Sequence, residues 1–316
     1  MKGFTWNIQS VSHFKEILRK EFSQIMTLDR IEEELFNVEV KYIAEIEKHE
    51  SENAIKKGLT NIQENDIHYY INNYGARGNW SIEEPIDDCI KVAVFGCSFT
   101  FGVGIPESET WSSKFVQKLQ SDKPVQLINL GFPGGSISKN LKLFKYLTDV
   151  YKVDMAVFLL PSHWREEHPE HAISDSQEEL VYYHNLIPNF ESDIITDKWK
   201  QFYMYSTEST RFYDTLRAIS YINLIASVNN IETYFSSWDY DTLDFLKENK
   251  LVEDYQVLPY FKFLENILGP ELKTKFARDG KHPGIASQDL FANEISDHIR
   301  KYTSIHGISK KKIDII

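Results

Sequence analysis

Cysteine is nearly absent from this 316-residue chain, which has only Cys89 and Cys97. Two thiols eight positions apart build neither a disulfide framework nor a zinc-ligand pattern. Long apolar runs are missing too, and no stretch approaches the roughly 20 residues that would span a bilayer. Positive charge is in deficit, with 35 Lys and Arg against 47 Asp and Glu, a formal net charge of -12. Such a surface repels nucleic acid and anionic lipid, so neither is expected as a partner. The one basic run, Lys310, Lys311 and Lys312, reads as part of a solvated tail over 307–316. Residues 1–10 carry a single Lys and no apolar segment of signal-peptide length, so cytoplasmic residence is expected. What remains, 42% hydrophobic and 26% charged residues, is the composition of an ordinary globular chain with a core to bury.

Over 11–57 the pattern is helical. Phe14, Ile17, Leu18, Phe22, Ile25 and Met26 recur at three- and four-residue steps, followed by Ile31, Leu35, Val38, Val40, Ile43 and Ile46. This predicts two amphipathic helices, either as an appendage occupying 1–65 or as a cover for one face of the main core. After Asn65 aromatics mix with turn formers (Tyr69, Tyr70, Asn72, Asn73, Gly75, Gly78, Pro85), which marks the start of a main domain over 66–306. Segments 90–95 (IKVAVF), 125–130 (VQLINL), 155–160 (MAVFLL) and 231–235 (IETYF) are short apolar runs suited to strands covered on both faces. Helical patterns lie at 110–120, 138–151 and 210–228. The alternation predicts an α/β fold: a three-layer α/β/α sandwich of flavodoxin-like character, about five parallel strands, and the N-terminal helices added to it. The charged, weakly periodic stretch 162–201 is expected to be a loop-rich insertion beside the reactive edge.

In open parallel sheets the reacting groups gather at the carboxyl ends of the strands. Immediately after the first strand run comes Gly96-Cys97-Ser98-Phe99-Thr100-Phe101-Gly102-Val103-Gly104. It lacks the Lys of a phosphate-binding loop, the G-x-G-x-x-G of a dinucleotide site, and the last glycine of a G-x-S-x-G elbow. A hydroxyl placed there can serve a nucleophile or merely cap a turn. Far downstream, Asp279-Gly280-Lys281-His282 can bring a carboxylate to an imidazole, which would then accept the serine proton. His163, His168 and His171, with nearby Glu166, Glu167 and Glu170, match no zinc spacing, so no metal is expected. Cys97 has no assigned imidazole to make it a thiolate nucleophile.

Taken together these segments resemble the SGNH (GDSL-like) hydrolase family. The stretch 95–102 is similar to its first signature block, 129–136 (NLGFPGGS) to its second, and Asp279 to His282 to its last, D-x-x-H. Asn72-Asn73-Tyr74-Gly75-Ala76-Arg77-Gly78 resembles the N-x-x-G-x-R-G lead-in seen in this class, and the likeness runs over about 66–302. The resemblance implies a serine esterase with Ser98 as nucleophile, His282 as base and Asp279 orienting it. It also implies an oxyanion hole from the N–H groups of Ser98 and Gly131. The expected substrate is an O-acyl, typically acetyl, ester of a carbohydrate or small molecule, with no cofactor. Two positions depart from the family: Cys97 stands where Asp is usual, and in the third block Pro161 and His163 replace the glycine and the oxyanion-hole asparagine. The missing donor is expected to come from His163 or from Arg165, and the alternative for His163 is a surface residue. The same triad serves an O-acyltransferase, and the altered block leaves room for a catalytically weak binding module.

Overall fold

The computed structural model describes residues 10–23, 38–41, 67–84, 86–119, 121–173, 179–186, 207–262, 277, 282–305 and 308. The chain begins with α1 (Val11–Ser23), β1 (Val38–Lys41) and β2 (His68–Ile71), and then enters the layered domain. There follow β3 (Ile90–Gly96), α2 (Ser98–Phe101), α3 (Trp111–Lys118), β4 (Val125–Gly131), α4 (Ile137–Val150) and β5 (Met155–Leu160). A hairpin, β6 (Glu166–Ile173) and β7 (Glu179–Leu186), precedes α5 (Glu208–Asn229), β8 (Glu232–Ser237), α6 (Tyr240–Glu248) and α7 (Ile285–Tyr302).

The central sheet is parallel, in the order β4-β3-β5-β8. Its strands read as continuous apolar runs because both faces are covered, and the pleat sends alternate side chains to opposite layers. Ala93, Phe95, Ala156, Phe158 and Leu160 join Leu143, Phe144, Ile219, Ile222 and Leu246 of α4, α5 and α6 on one side. Val92, Val94, Met155, Val157 and Leu159 join Trp111, Phe115, Phe291, Ile295 and Ile299 of α3 and α7 on the other. Phe95, Phe158 and Phe235 stand opposite one another on three adjacent strands, stacked with centroids 4.8 and 5.2 Å apart, and Phe144 meets the first two edge-on. This ladder lies one position before Gly96, under the carboxyl edge. Helices α3, α4 and α5 are capped by hydroxyls: Thr110 accepts from Ser113 N–H, Ser136 from Lys139 N–H and Thr207 from Thr210 N–H.

Three expectations are corrected. The described parallel sheet has four strands, not about five. Beyond β8, residues 257–261 pair with it through an isolated parallel bridge at Val257, with Leu258 N–H donating to Phe235 O (2.8 Å), Phe261 N–H to Ser237 O (3.0 Å) and Ser236 Oγ to Pro259 O (2.6 Å). Pro259, which has no N–H, interrupts that ladder. The second helical pattern contains β1 instead: Val38 and Val40 alternate with Glu39 and Lys41, and β1 pairs antiparallel with β2. The segment expected as loop carries the antiparallel β6–β7 hairpin. The first helix is as expected, and it covers the core. Phe14, Leu18 and Phe22 belong to the same apolar cluster as Phe95 and Phe158, while Glu21 meets Lys139 and Lys142 of α4 at 2.5 Å each.

Candidate active site

The turn that carries Ser98 is shaped by two glycines. Gly96 and Gly131 stand opposite each other at the ends of β3 and β4. A Cβ on Gly96 would come 2.1 Å from Thr100 Oγ1, and one on Gly131 would come 2.3 Å from Phe101 N. Only bare backbone at both places lets α2 sit directly on the strand ends. Ser98 is the first residue of α2, so its N–H has no intrahelical acceptor, and its carbonyl accepts from Gly102 and Val103 N–H at 2.9 and 3.1 Å. The side chain is buried, and its hydroxyl makes no hydrogen bond among the described residues.

The loop that carries Ser98 is held from three sides. Asn129 donates its side-chain N–H to Thr100 O (3.1 Å), and Tyr69 OH accepts from Gly104 N–H (2.6 Å). Arg77 donates to Phe101 O, Gly102 O and Ile105 O. A cavity of about 370 Å³ opens behind this clamp, lined by Arg77, Trp80, Glu107, Gln126 and Asn129 among others.

The far end of the sequence returns to this loop. The imidazole of His282 meets the ring of Phe99, next to Ser98, edge-on at 5.9 Å. Ala277 N–H donates to His282 O at 2.9 Å, closing the turn before α7. One and a half turns on, Gln288 accepts from Trp111 N–H (2.8 Å) and donates to Phe99 O (3.5 Å). Phe99 also meets Trp238 at 5.4 Å and Phe261 at 5.5 Å, and the Arg165 guanidinium lies over Trp238 at 4.9 Å. No hydrogen bond joins Ser98 to His282 among the described residues. Asp279 lies outside them, as do the side chains of His168, His171, Glu166, Glu167 and Glu170.

Two oxyanion-hole expectations meet competing partners. Gly131 N–H is donated to Asn129 Oδ1 at 2.9 Å and is therefore committed. In the adjacent turn Phe132 N–H donates to Gly96 O (3.0 Å), Gly135 N–H donates to Phe132 O (2.7 Å), and Gly134 N–H is uncommitted among the described residues. His163 is no surface residue, being 2% exposed and stacked on Phe212 at 4.1 Å. Its Nδ1 lies 3.1 Å from Thr242 Oγ1 and 3.3 Å from Asp239 Oδ2, and its Nε2 is buried with no hydrogen-bond partner among the described residues. Burial alone would raise the Asp239 carboxyl, but hydrogen bonds from His163, Ser162 and Thr242 outweigh it and hold the group below its ordinary range. His163 therefore faces α5 and α6, and no described hydrogen bond connects it to Ser98. The contributions of Phe99, Trp238, Phe261 and Gln288 had no sequence signal beyond apolar or amide character.

No protein-family model matches the chain, and no curated protein matches it. Solved structures do. A G-D-S-L family protein from Desulfitobacterium hafniense, described as lipolytic, is 15% identical over 66% of this chain and 98% of its own (TM-score 0.39). The esterase EstA from Pseudoalteromonas is 13% identical over 67% and 97% (TM-score 0.38). A catalytic mutant of Axe2, an acetylxylan esterase from Geobacillus stearothermophilus, is 11% identical over 69% and 96% (TM-score 0.39).

Proposed function

We propose that the chain is a serine hydrolase that cleaves an O-acyl ester, typically acetyl, of a carbohydrate or other small molecule. The observation that carries this reading is the contact between His282 and Phe99, which brings an imidazole from one end of the domain against the turn of a buried serine whose hydroxyl is uncommitted among the described residues. In the reaction, Ser98 Oγ bonds to the ester carbonyl carbon while its proton passes to His282, with Asp279 orienting the imidazole. The N–H of Ser98 supports the negative oxygen, with a second donor proposed from the neighbouring turn 132–135. The carbon–oxygen bond to the alcohol then breaks, and the leaving oxygen takes the proton from His282. Water repeats the sequence in reverse, freeing the carboxylic acid and Ser98. An alcohol in place of water yields acyl transfer by the same steps.

The position of His163 favours one competing reading. In the residue aligned with the family's oxyanion asparagine, Nδ1 is committed to Asp239 and Thr242 and only the buried Nε2 is left as a donor, an arrangement suited to a module that retains the fold for binding. Fluorophosphonate labelling with mass spectrometry separates the two. The wild type is expected to be phosphonylated at Ser98, and Ser98→Ala and His282→Ala are not. Hydrolysis of p-nitrophenyl acetate should fall on the order of 10⁴-fold in Ser98→Ala. A wild type that takes no label would leave the binding module standing.

A further inference from the structure

Arg77 is among the largest fully buried side chains, at 1% exposure. Burying a guanidinium costs free energy that its partners must offset, and the usual partner is a carboxylate; here Nε has no hydrogen-bond partner among the described residues, and only the two terminal nitrogens are engaged. Among the described residues no carboxylate lies within ion-pair distance of Arg77. Its charge is directed at the backbone instead: one terminal nitrogen donates to Phe101 O (2.8 Å) and Gly102 O (2.5 Å), the other to Ile105 O (2.7 Å). The faces of Tyr69 and Phe101 flank it at 4.4 and 5.5 Å. The loop is moulded around it as well. Gly102 has φ 83°, and a Cβ there would come 2.8 Å from the guanidinium and 2.5 Å from Thr110.

The three carbonyls are those of the last residue of α2 and of the loop that follows. Gly102 N–H, one residue beyond α2, also donates to Ser98 O. The guanidinium therefore holds the downstream side of the same short turn that presents Ser98 on its upstream side. Arg77 is itself fixed from behind: Asn72 Oδ1 accepts from Tyr74 and Ala76 N–H, and Trp80 Nε1 donates to Arg77 O (3.0 Å).

We propose that Arg77 is a positioning residue for Ser98, its rigid fork fixing three loop carbonyls so that the nucleophile and its N–H keep the geometry of the transition state. The proposal rests on the reading of Ser98 as nucleophile. A displacement of about 1 Å in such a group costs on the order of 100-fold in rate. A lysine keeps the charge but offers a point donor that cannot span three carbonyls, so Arg77→Lys separates charge from fork, and Arg77→Met removes both.

The test is the kinetics of fluorophosphonate labelling, corrected for the folded fraction by near-ultraviolet circular dichroism. The bond formed is Ser98 Oγ to phosphorus, with fluoride leaving and the hydroxyl proton passing to His282. Relative to wild type, the maximal labelling rate is expected to fall about 10-fold in Arg77→Lys and about 100-fold in Arg77→Met, with the half-saturating probe concentration changed less than 2-fold. If Arg77→Met does not fold, Arg77→Lys decides alone. Folded variants that label at the wild-type rate, or that change only the half-saturating concentration, overturn the proposal and leave the esterase reading intact. A wild type that takes no label overturns both.

Discussion

Glu21 and Glu107 are both carboxylates withdrawn from water beside buried cations, yet they titrate in opposite directions. Burial raises each. At Glu21 this is outweighed by Lys139 and Lys142, whose ammonium groups hold its carboxyl below the ordinary range. At Glu107 burial wins and the carboxyl is pushed up, because Arg77, the nearby cation, attracts it only at a distance. The guanidinium's hydrogen bonds go to Phe101, Gly102 and Ile105. Proximity to a positive charge is thus not pairing; what decides is where the donors are committed. The first arrangement fastens α1 to α4, and the second shapes a loop.

The largest effect that would sharpen this contrast is at Glu21. Glu21→Ala removes the buried carboxylate that Lys139 and Lys142 share and is expected to cost about 3 kcal/mol in urea unfolding at pH 7. The pH dependence has a definite sign. A carboxyl depressed in the folded state contributes stability above its unfolded pKa, about 4.3, and loses it as pH falls through the lower folded value. Wild type should therefore lose stability on acidification through that window more steeply than Glu21→Gln.

Glu107 should behave inversely. A carboxyl raised on folding is most favourable below its unfolded pKa, and that contribution is lost as pH rises through the folded value. Glu107→Gln is accordingly expected to be neutral or stabilising by up to about 1 kcal/mol at pH 7, with the difference vanishing below about pH 4. Glu107→Gln destabilising as strongly as Glu21→Gln would break the comparison. The smallest effect is expected where a pair stays in water. Lys145→Ala, which removes the i,i+4 pair with Asp149 on α4, should shift the urea unfolding free energy by no more than about 0.5 kcal/mol.

Neither buried charge was legible in the sequence. Glu21 and Lys139 are 118 positions apart, and nothing in a helical pattern marks a polar residue whose neighbours bury it. Arg77 stood out only through the resemblance of its motif, which says nothing about three carbonyls. The layered core, by contrast, could be read closely. The runs 90–95, 125–130 and 155–160 fall within a residue of β3, β4 and β5, since strands buried on both faces must be apolar throughout. Val38 to Lys41 was misread because its period of two is hidden in a longer run whose apolar spacing also fits a helix. At the site, turn glycines and the order of motifs pointed to Ser98 and His282. The commitment of Gly131 N–H to Asn129 and the inward turn of His163 depend on hydrogen bonds that spacing does not encode.

Gly96 and Gly131 reach the edge of the sheet at the same level, shoulder to shoulder. The seat of the Ser98 turn is therefore a joint made by two strands: both glycines bear on Thr100, Gly96 also on Leu159 O and Gly131 also on Phe101 N. A methyl added to either would lift the serine without touching its chemistry. Each strand end is consequently fixed by itself, and a chain that gained a side chain at one could not recover its seat by adjusting the other.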